Sequence, residues 1–378
     1  MSQKRSIFQD VESAEKPQLQ TGVIDRAKRG SRGAVRAWLI ALFALVVTMI
    51  VVGGLTRLTD SGLSITEWRP LTGALPPMSE AAWQAEFDKY KEIPEFQLQN
   101  NWMTLADFKT IFWWEWGHRQ LGRVIGLVWA IGFAGLWAAG KIPPGWRGRL
   151  LLIGGLGGLQ GAIGWWMVSS GLGGSNLDVA SYRLAIHLGL AFVILGLLTW
   201  YVLMLGREER DLMQARRQKE KRQFGVATGW MHFIFLQILI GALVAGIDAG
   251  RSYTDWPTMG GAFVPPDPWS LTPGWRNLLE NPGLVQFIHR IVGYLLFGYG
   301  IMALLRGRKS AHKLTQGAFT IAFLALLGQI LLGIYTVVTG APWNVAILHQ
   351  LLGVITWVLI LRARFYAAYP VATSIRKG

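Results

Sequence analysis

The chain has 378 residues, 52% of them hydrophobic and only 16% charged, and its mean hydropathy is positive. That is too apolar for an ordinary soluble domain, and the formal net charge of +15 is too unevenly distributed to mark a nucleic-acid binder. There are no cysteines, so thiolate metal sites, iron–sulfur clusters and disulfides are excluded, and any metal chemistry must use histidine or carboxylates.

Residues 1–35 are polar and basic, with no apolar core, so no cleavable secretory signal is expected there. The first of eight apolar blocks follows at 36–56, long enough to cross a bilayer, which takes about 20 residues. A long outer segment, 57–112, comes next. It opens with the turn-rich "RLTDSGLSITEWRPLTGALPPM" and continues with "MSEAAWQAEFDKYKEIPEF". Ser79 is a helix cap there, and the spacing of Trp83, Phe87 and Tyr90 predicts a short amphipathic helix on the membrane face. "TLAD" at 104–107 reads as a capping box, so the second membrane helix should begin well outside the bilayer.

The next blocks are 118–139, 150–170 and 184–206. A basic linker, 207–223, leads to 224–247, and an irregular loop with six prolines covers 248–284. The last three blocks are 285–305, 314–339 and 343–361, followed by a tail at 362–378. Several of the nineteen Trp flank the blocks, as interfacial aromatics do. The expected fold is an all-α membrane protein with eight transmembrane helices.

With eight spans, both termini lie on one side. The segments on that side are the N-terminus as far as Arg36, 140–149, 207–223, 306–313 and the tail, and they hold 26 of the 37 Lys and Arg but 8 of the 22 Asp and Glu. This is the positive-inside bias, and it makes both termini cytoplasmic. Basic runs such as "REERDLMQARRQKEKR" are then topology signals, and no nucleic-acid partner is expected.

The chain also repeats itself. "HRQLG" at 118–122 returns as "HRIVG" at 289–293, and "QGAIGWWMVSSG" at 160–171 returns as "QILLGIYTVVTG" at 329–340. "IHLG" at 186–189 is echoed by "LHQLLG" at 348–353. This predicts two related, parallel four-helix halves, 36–206 and 224–361, as pseudo-symmetric bundles.

Of six histidines, His312 falls in a cytoplasmic loop, and His232 near the inner end of the fifth span is expected to be a packing residue. The other four, His118, His187, His289 and His349, stand near the outer ends of the even-numbered spans, two in each half. Ionisable residues inside a membrane are functional candidates by default. Two facing imidazoles with no further protein ligand are too few for zinc. They suit haem iron, because the macrocycle supplies four nitrogens. Gly122, Gly293 and Gly353, each one turn beyond a histidine, would allow a flat ring close approach; ordinary helix packing is the alternative. Arg119 and Arg290, at the outer rim, are candidates to pair with haem propionates.

The halves differ three residues before the first histidine: Glu115 in one, Gln286 in the other. Both positions lie on the face of the histidine. A carboxylate at the dry edge of a bundle is costly to ionise, which suits it to proton transfer, unless it serves only as a partner for Arg119 or Arg123. The asymmetry predicts a reactive N-terminal site and an electron-transfer C-terminal site.

The stretches "GGLTRLTDSGLSITEWRPLTGALPP", "EWGHRQLGR", "LQGAIGWWMVSSGL", "RLAIHLGL", "GALVAGIDAG", "QFIHRIVGY" and "ILHQLLG", spanning 53–353, resemble the haem A synthase family. The cysteine-free chain is similar to the alphaproteobacterial and mitochondrial branch. The resemblance implies an oxidoreductase that acts on a CH group. It would oxidise a methyl group of haem O to the formyl group of haem A by successive hydroxylations, for cytochrome oxidase. It also implies that His289 and His349 ligate a haem b that relays electrons, that His118 and His187 serve the substrate haem iron, and that Glu115 is the essential carboxylate. It places the protein in the bacterial inner membrane with its haem sites near the periplasmic face. Haem O synthase, cytochrome oxidase assembly factors and an unidentified electron acceptor or donor are the implied partners; homo-oligomerisation is left open. Two rivals are a di-haem b-type cytochrome taking electrons from quinol, and a transporter. Four histidines at one depth disfavour the first, since electron transfer across the membrane would want a haem near each face. No clearly broken helix supports the second.

Overall fold

The computed structural model describes residues 23–174 and 177–371, with side chains from Ser31 onward. The basic N-terminal residues 1–22 and the last seven residues of the expected cytoplasmic tail lie outside the described residues. Eleven α-helices are present among the described residues: α1 (Val23–Leu58), α2 (Glu80–Lys91), α3 (Leu105–Ala138), α4 (Arg147–Val168), α5 (Ser181–Leu205), α6 (Glu209–Arg217), α7 (Lys221–Gly246), α8 (Asn277–Glu280), α9 (Pro282–Gly307), α10 (Lys313–Val338) and α11 (Trp343–Ala368). Eight of them, all but α2, α6 and α8, are long and apolar enough to cross a membrane. The protein is an all-α, integral multi-pass membrane protein.

Packing among the long helices follows the chain. α1 lies against α3 and α5, and α4 packs between α3 and α5. α7 lies against α9 and α11, and α10 packs between α9 and α11. The two groups meet along α5–α7, α5–α11 and α1–α11. One core runs through both, from Leu39 and Leu42 of α1 through Leu195 and Leu198 of α5 to Trp230 of α7 and Ile360 of α11. At the α1–α11 seam, Gln350 donates Nε2 to the carbonyl of Ile50 at 2.6 Å. A Cβ at Gly54 would stand less than 3 Å from that glutamine amide, so a larger residue here would displace the Gln350 side chain.

The helix starts follow local chemistry. Ser79 caps α2 by accepting from Ala82 N, and Thr104 and Asp107 form the reciprocal capping box of α3. Trp83, Phe87 and Tyr90 are buried, as their spacing predicts. They join Phe108, Ile111 and Phe112 of α3 in a second, smaller core that caps one end of the N-terminal group. α3 therefore begins thirteen residues before His118.

Three boundaries differ from the sequence reading. The first helix begins at Val23, inside the segment 1–35. The linker 207–223 contains α6, with Leu212 and Ala215 buried at i,i+3 spacing. The last helix runs beyond 361 to Ala368. Arg362 and Arg364 do not end it, because an arginine stem can cover apolar surface while its head group finds a partner. Arg364 lies 4.8 Å over the Trp200 ring and donates to Thr228 Oγ1, and Phe365 packs edge-on against Trp200.

Candidate functional site

The four predicted histidines fall into two pairs. His187 is within electrostatic reach of His118, and His289 of His349. Each ring is half-buried and rests on a glycine of the preceding membrane helix. Added Cβ atoms at Gly53, Gly164, Gly241 and Gly333 would stand 3.2, 2.9, 3.1 and 2.9 Å from the rings of His118, His187, His289 and His349 respectively. The glycines singled out in the sequence do something else. Cβ atoms at Gly293 and Gly353 would stand 3.4 and 3.5 Å from the amides of Gln237 and Gln329, and one at Gly122 would stand 3.5 Å from Met49 Cε.

Those glutamines are site residues that the sequence reading missed. Nε2 of Gln160, Gln237 and Gln329 donates to the main-chain carbonyl of His187, His289 and His349 at 3.0, 2.9 and 3.0 Å. Each amide nitrogen also lies 3.1–3.3 Å from the ring nitrogens of its histidine. Their signal was the spacing Gln-x-x-x-Gly, visible at 160–164, 237–241 and 329–333. One helical turn puts the amide and the bare backbone on one face.

Glu115 is 2% exposed and fully engaged. Arg119 donates Nε and Nη2 to its Oε1 at 3.0 and 2.5 Å. Ser64 Oγ and Ile65 N donate to its Oε2 at 2.8 and 2.7 Å. The ion pair is thus with Arg119. Arg123 turns instead to the carbonyls of Arg69 and Pro70. Gln286 is equally buried and donates Nε2 to the Tyr253 carbonyl at 3.0 Å.

Arg119 and Arg290 both pin loops between membrane helices. Arg119 donates to the carbonyls of Ile65 and Glu67, and Arg290 to those of Tyr253, Asp255 and Thr258. The C-terminal loop is stiffened further by Asp255, whose carboxylate accepts from Gly260 N, Gly261 N and Thr258 Oγ1 and is held well below the usual carboxylate range by those bonds. In the N-terminal cap, burial pushes the Glu95 carboxyl up to about 8, and the Tyr90 hydroxyl, which donates to it at 3.2 Å, pulls it partly back.

His232 does not pack in the core as expected. It is exposed on α7, with Nδ1 2.9 Å from the Thr228 carbonyl. His312 precedes α10 in the loop, half-buried, with its backbone N–H donating to Ser310 Oγ.

The donor set fits a group that brings its own equatorial ligands. No cluster of three or more His, Cys, Asp or Glu that could hold a bare metal ion exists among the described residues. The two pairs of imidazoles are what remains, and buried polar atoms without partners occur on the residues around them: Oε1 of Gln160, Gln237 and Gln329, whose amides touch the histidines, and Oε1 of Gln286 and Nε of Arg290 on the helix of His289. Buried groups of this kind are normally satisfied, so they point to a bound molecule or water.

Residues 36–361 match the sequence profile of the cytochrome oxidase assembly proteins designated COX15-CtaA. The chain belongs to that family. It is 70% identical to a protein of Ruegeria pomeroyi named Heme A synthase, with all of both chains covered. It is 59% identical to the Heme A synthase of Cereibacter sphaeroides (strain ATCC 17029 / ATH 2.4.9) and 57% to that of Paracoccus denitrificans, each over 99% of this chain and 98% of the other. Within the family frame, the first histidine pair carries the carboxylate and the second the amide.

Proposed function

We propose that the protein is an enzyme of haem A biosynthesis that oxidises the methyl group of haem O to the formyl group of haem A by successive hydroxylations and loss of water. The observation that carries this reading is the set of two imidazole pairs on facing helices, only one of them beside a carboxylate, in a chain similar over its whole length to proteins named Heme A synthase. The product would serve cytochrome oxidase assembly. The chain sits in the bacterial inner membrane, both termini cytoplasmic and both sites near the periplasmic face.

In this reading the C-terminal half, 224–361, is the resident-cofactor half. His289 and His349 would hold the iron of haem b, and Arg290, with its unpartnered Nε, would hold a propionate. Haem b bound there supplies one-electron transfer. The N-terminal half, 36–206, receives haem O between His118 and His187. Glu115 is the one carboxylate on the histidine face, where Oε2 would hold or pass the proton released as the methyl is oxidised. Arg119 orients Glu115 by a two-point contact, and it is also the candidate for a propionate of the substrate. The small core over α2 and α3 keeps bulk water from this edge. Haem O synthase as the supplier of substrate, a homo-oligomer and an external electron acceptor belong to the same proposal.

Extraction and mass analysis of porphyrins from the purified protein, expressed with a supply of haem O, is the test. Haem b together with haem O, its alcohol or haem A is expected. Haem b alone at both sites would favour a di-haem electron carrier and overturn the reading.

A further inference from the structure

Three of the four histidines are fastened in one way. The preceding membrane helix places a glutamine four residues before the glycine under the imidazole, and its amide grips the histidine's main-chain carbonyl. At His118 the glycine is Gly53, and the residue four before it is Met49. Met49 also takes the glutamine's place in space. Its Cε faces Gly122 at 3.5 Å, as the Gln237 and Gln329 amides face Gly293 and Gly353 at 3.4 and 3.5 Å. Methionine has nearly the length of glutamine but no N–H to give, so the turn of α3 that carries His118 lacks the side-chain tie to its neighbour that the other three possess.

The exception falls in the half that, on the reading above, handles a substrate. A resident cofactor gains from two fastened ligands. A macrocycle that must leave as product once per turnover needs one ligand that lets go. We propose that Met49 makes His118 the releasable ligand of the N-terminal pair, so that haem O binds and haem A departs by movement of the α3 turn away from α1, while His187 and the two C-terminal histidines stay fixed. Met49 is thus a positioning residue that sets which site exchanges its haem.

This inference rests on the two-site haem reading, and the experiment separates the two. Protein purified with its haem and supplemented with haem O is mixed with excess apomyoglobin as scavenger, and haem loss is followed optically. Wild type should lose haem in a fast phase from the N-terminal site and a slow phase from the C-terminal site. In M49Q one added hydrogen bond should slow the fast phase by about threefold or more, and in Q237M its loss should speed the slow phase comparably. Met and Gln are close in size, so both variants conserve packing volume. A fast phase unchanged in M49Q overturns the proposal, whatever Q237M does. If M49Q does not accumulate in membranes, Q237M decides alone, and an unchanged slow phase overturns it. Wild type without a slow phase that disappears in H289M would instead break the two-site reading, a result visible before any Met49 variant is made.

Discussion

The two histidine pairs use the same parts and finish them differently. Both start with a His-Arg dipeptide, and both arginines reach out to loop carbonyls. Both lie one turn beyond a buried polar residue. In the C-terminal half that residue is Gln286, which donates to the loop, and both histidines are held by glutamine amides. In the N-terminal half it is Glu115, which accepts from the loop and from Arg119, and one of the two histidines is left without its glutamine. Two side chains thus separate the pairs, one adding a charge and one removing a donor. The cover over each pair differs too. The N-terminal site lies under a hydrophobic cap with its own core, the C-terminal site under a loop tied by Arg290 and Asp255.

The largest effect should come from the histidines themselves. H289M or H349M should shift or abolish the low-spin haem spectrum of the purified protein. Replacing His118 or His187 should end haem A formation while much of the resident haem remains. An unchanged low-spin spectrum in both C-terminal variants, or full activity in either N-terminal one, would erase the division between the pairs.

E115Q makes the first pair resemble the second. Loss of a proton-handling group should lower the ratio of haem A to haem O in membranes by about 10²-fold or more, with haem b retained. If Glu115 only anchors Arg119 and the 64–65 turn, the ratio should stay near normal and only thermal stability should fall.

R119A and R290A come next. Each removes charge-assisted bonds to loop carbonyls, at a cost on the order of 1.5–3 kcal/mol, measurable as a lower unfolding temperature in detergent. R290A should also weaken haem retention. Equal retention in R290A and wild type would leave this arginine a loop anchor only.

The smallest effect concerns the cap, which has no counterpart in the other half. The Glu95 carboxyl in the folded cap titrates at about 8, above its ordinary value. The native state therefore binds the proton more tightly than the unfolded one. The stability this gives is complete below the ordinary carboxylate range and is lost as pH rises to about 8. Amide exchange in 80–100, corrected for its intrinsic pH dependence, should show greater opening at about pH 8 than at about pH 5. In E95Q that difference should vanish; a dependence that persists would place the titrating group elsewhere.

Much of this organisation was legible in the chain because a bilayer narrows the choices. Blocks of about 20 apolar residues must be helices, since no water is present to satisfy an open backbone. Four histidines at matching positions of those blocks stand out because ionisable residues there are costly. Caps at Ser79 and Thr104 were readable because they depend on neighbours three residues away. The glutamines were harder. Gln is common enough in sequence that its grip on a histidine of another helix shows only when the two helices are packed, and the same holds for the choice of Arg119 over Arg123 as partner of Glu115.

The sequence by itself determined the eight helices, the two histidine pairs and the Glu115–Gln286 contrast. These follow from hydropathy, period and repeat, which are properties of residues near one another along the chain. Only the tertiary structure decided what each histidine leans on, that Gly53, Gly164, Gly241 and Gly333 rather than Gly122, Gly293 and Gly353 lie beneath the rings, and that Met49 stands where three glutamines stand elsewhere. The physical reason is that a hydrogen bond or a contact across helices depends on rotation and depth to within about an ångström. Neither is set until the helices have packed.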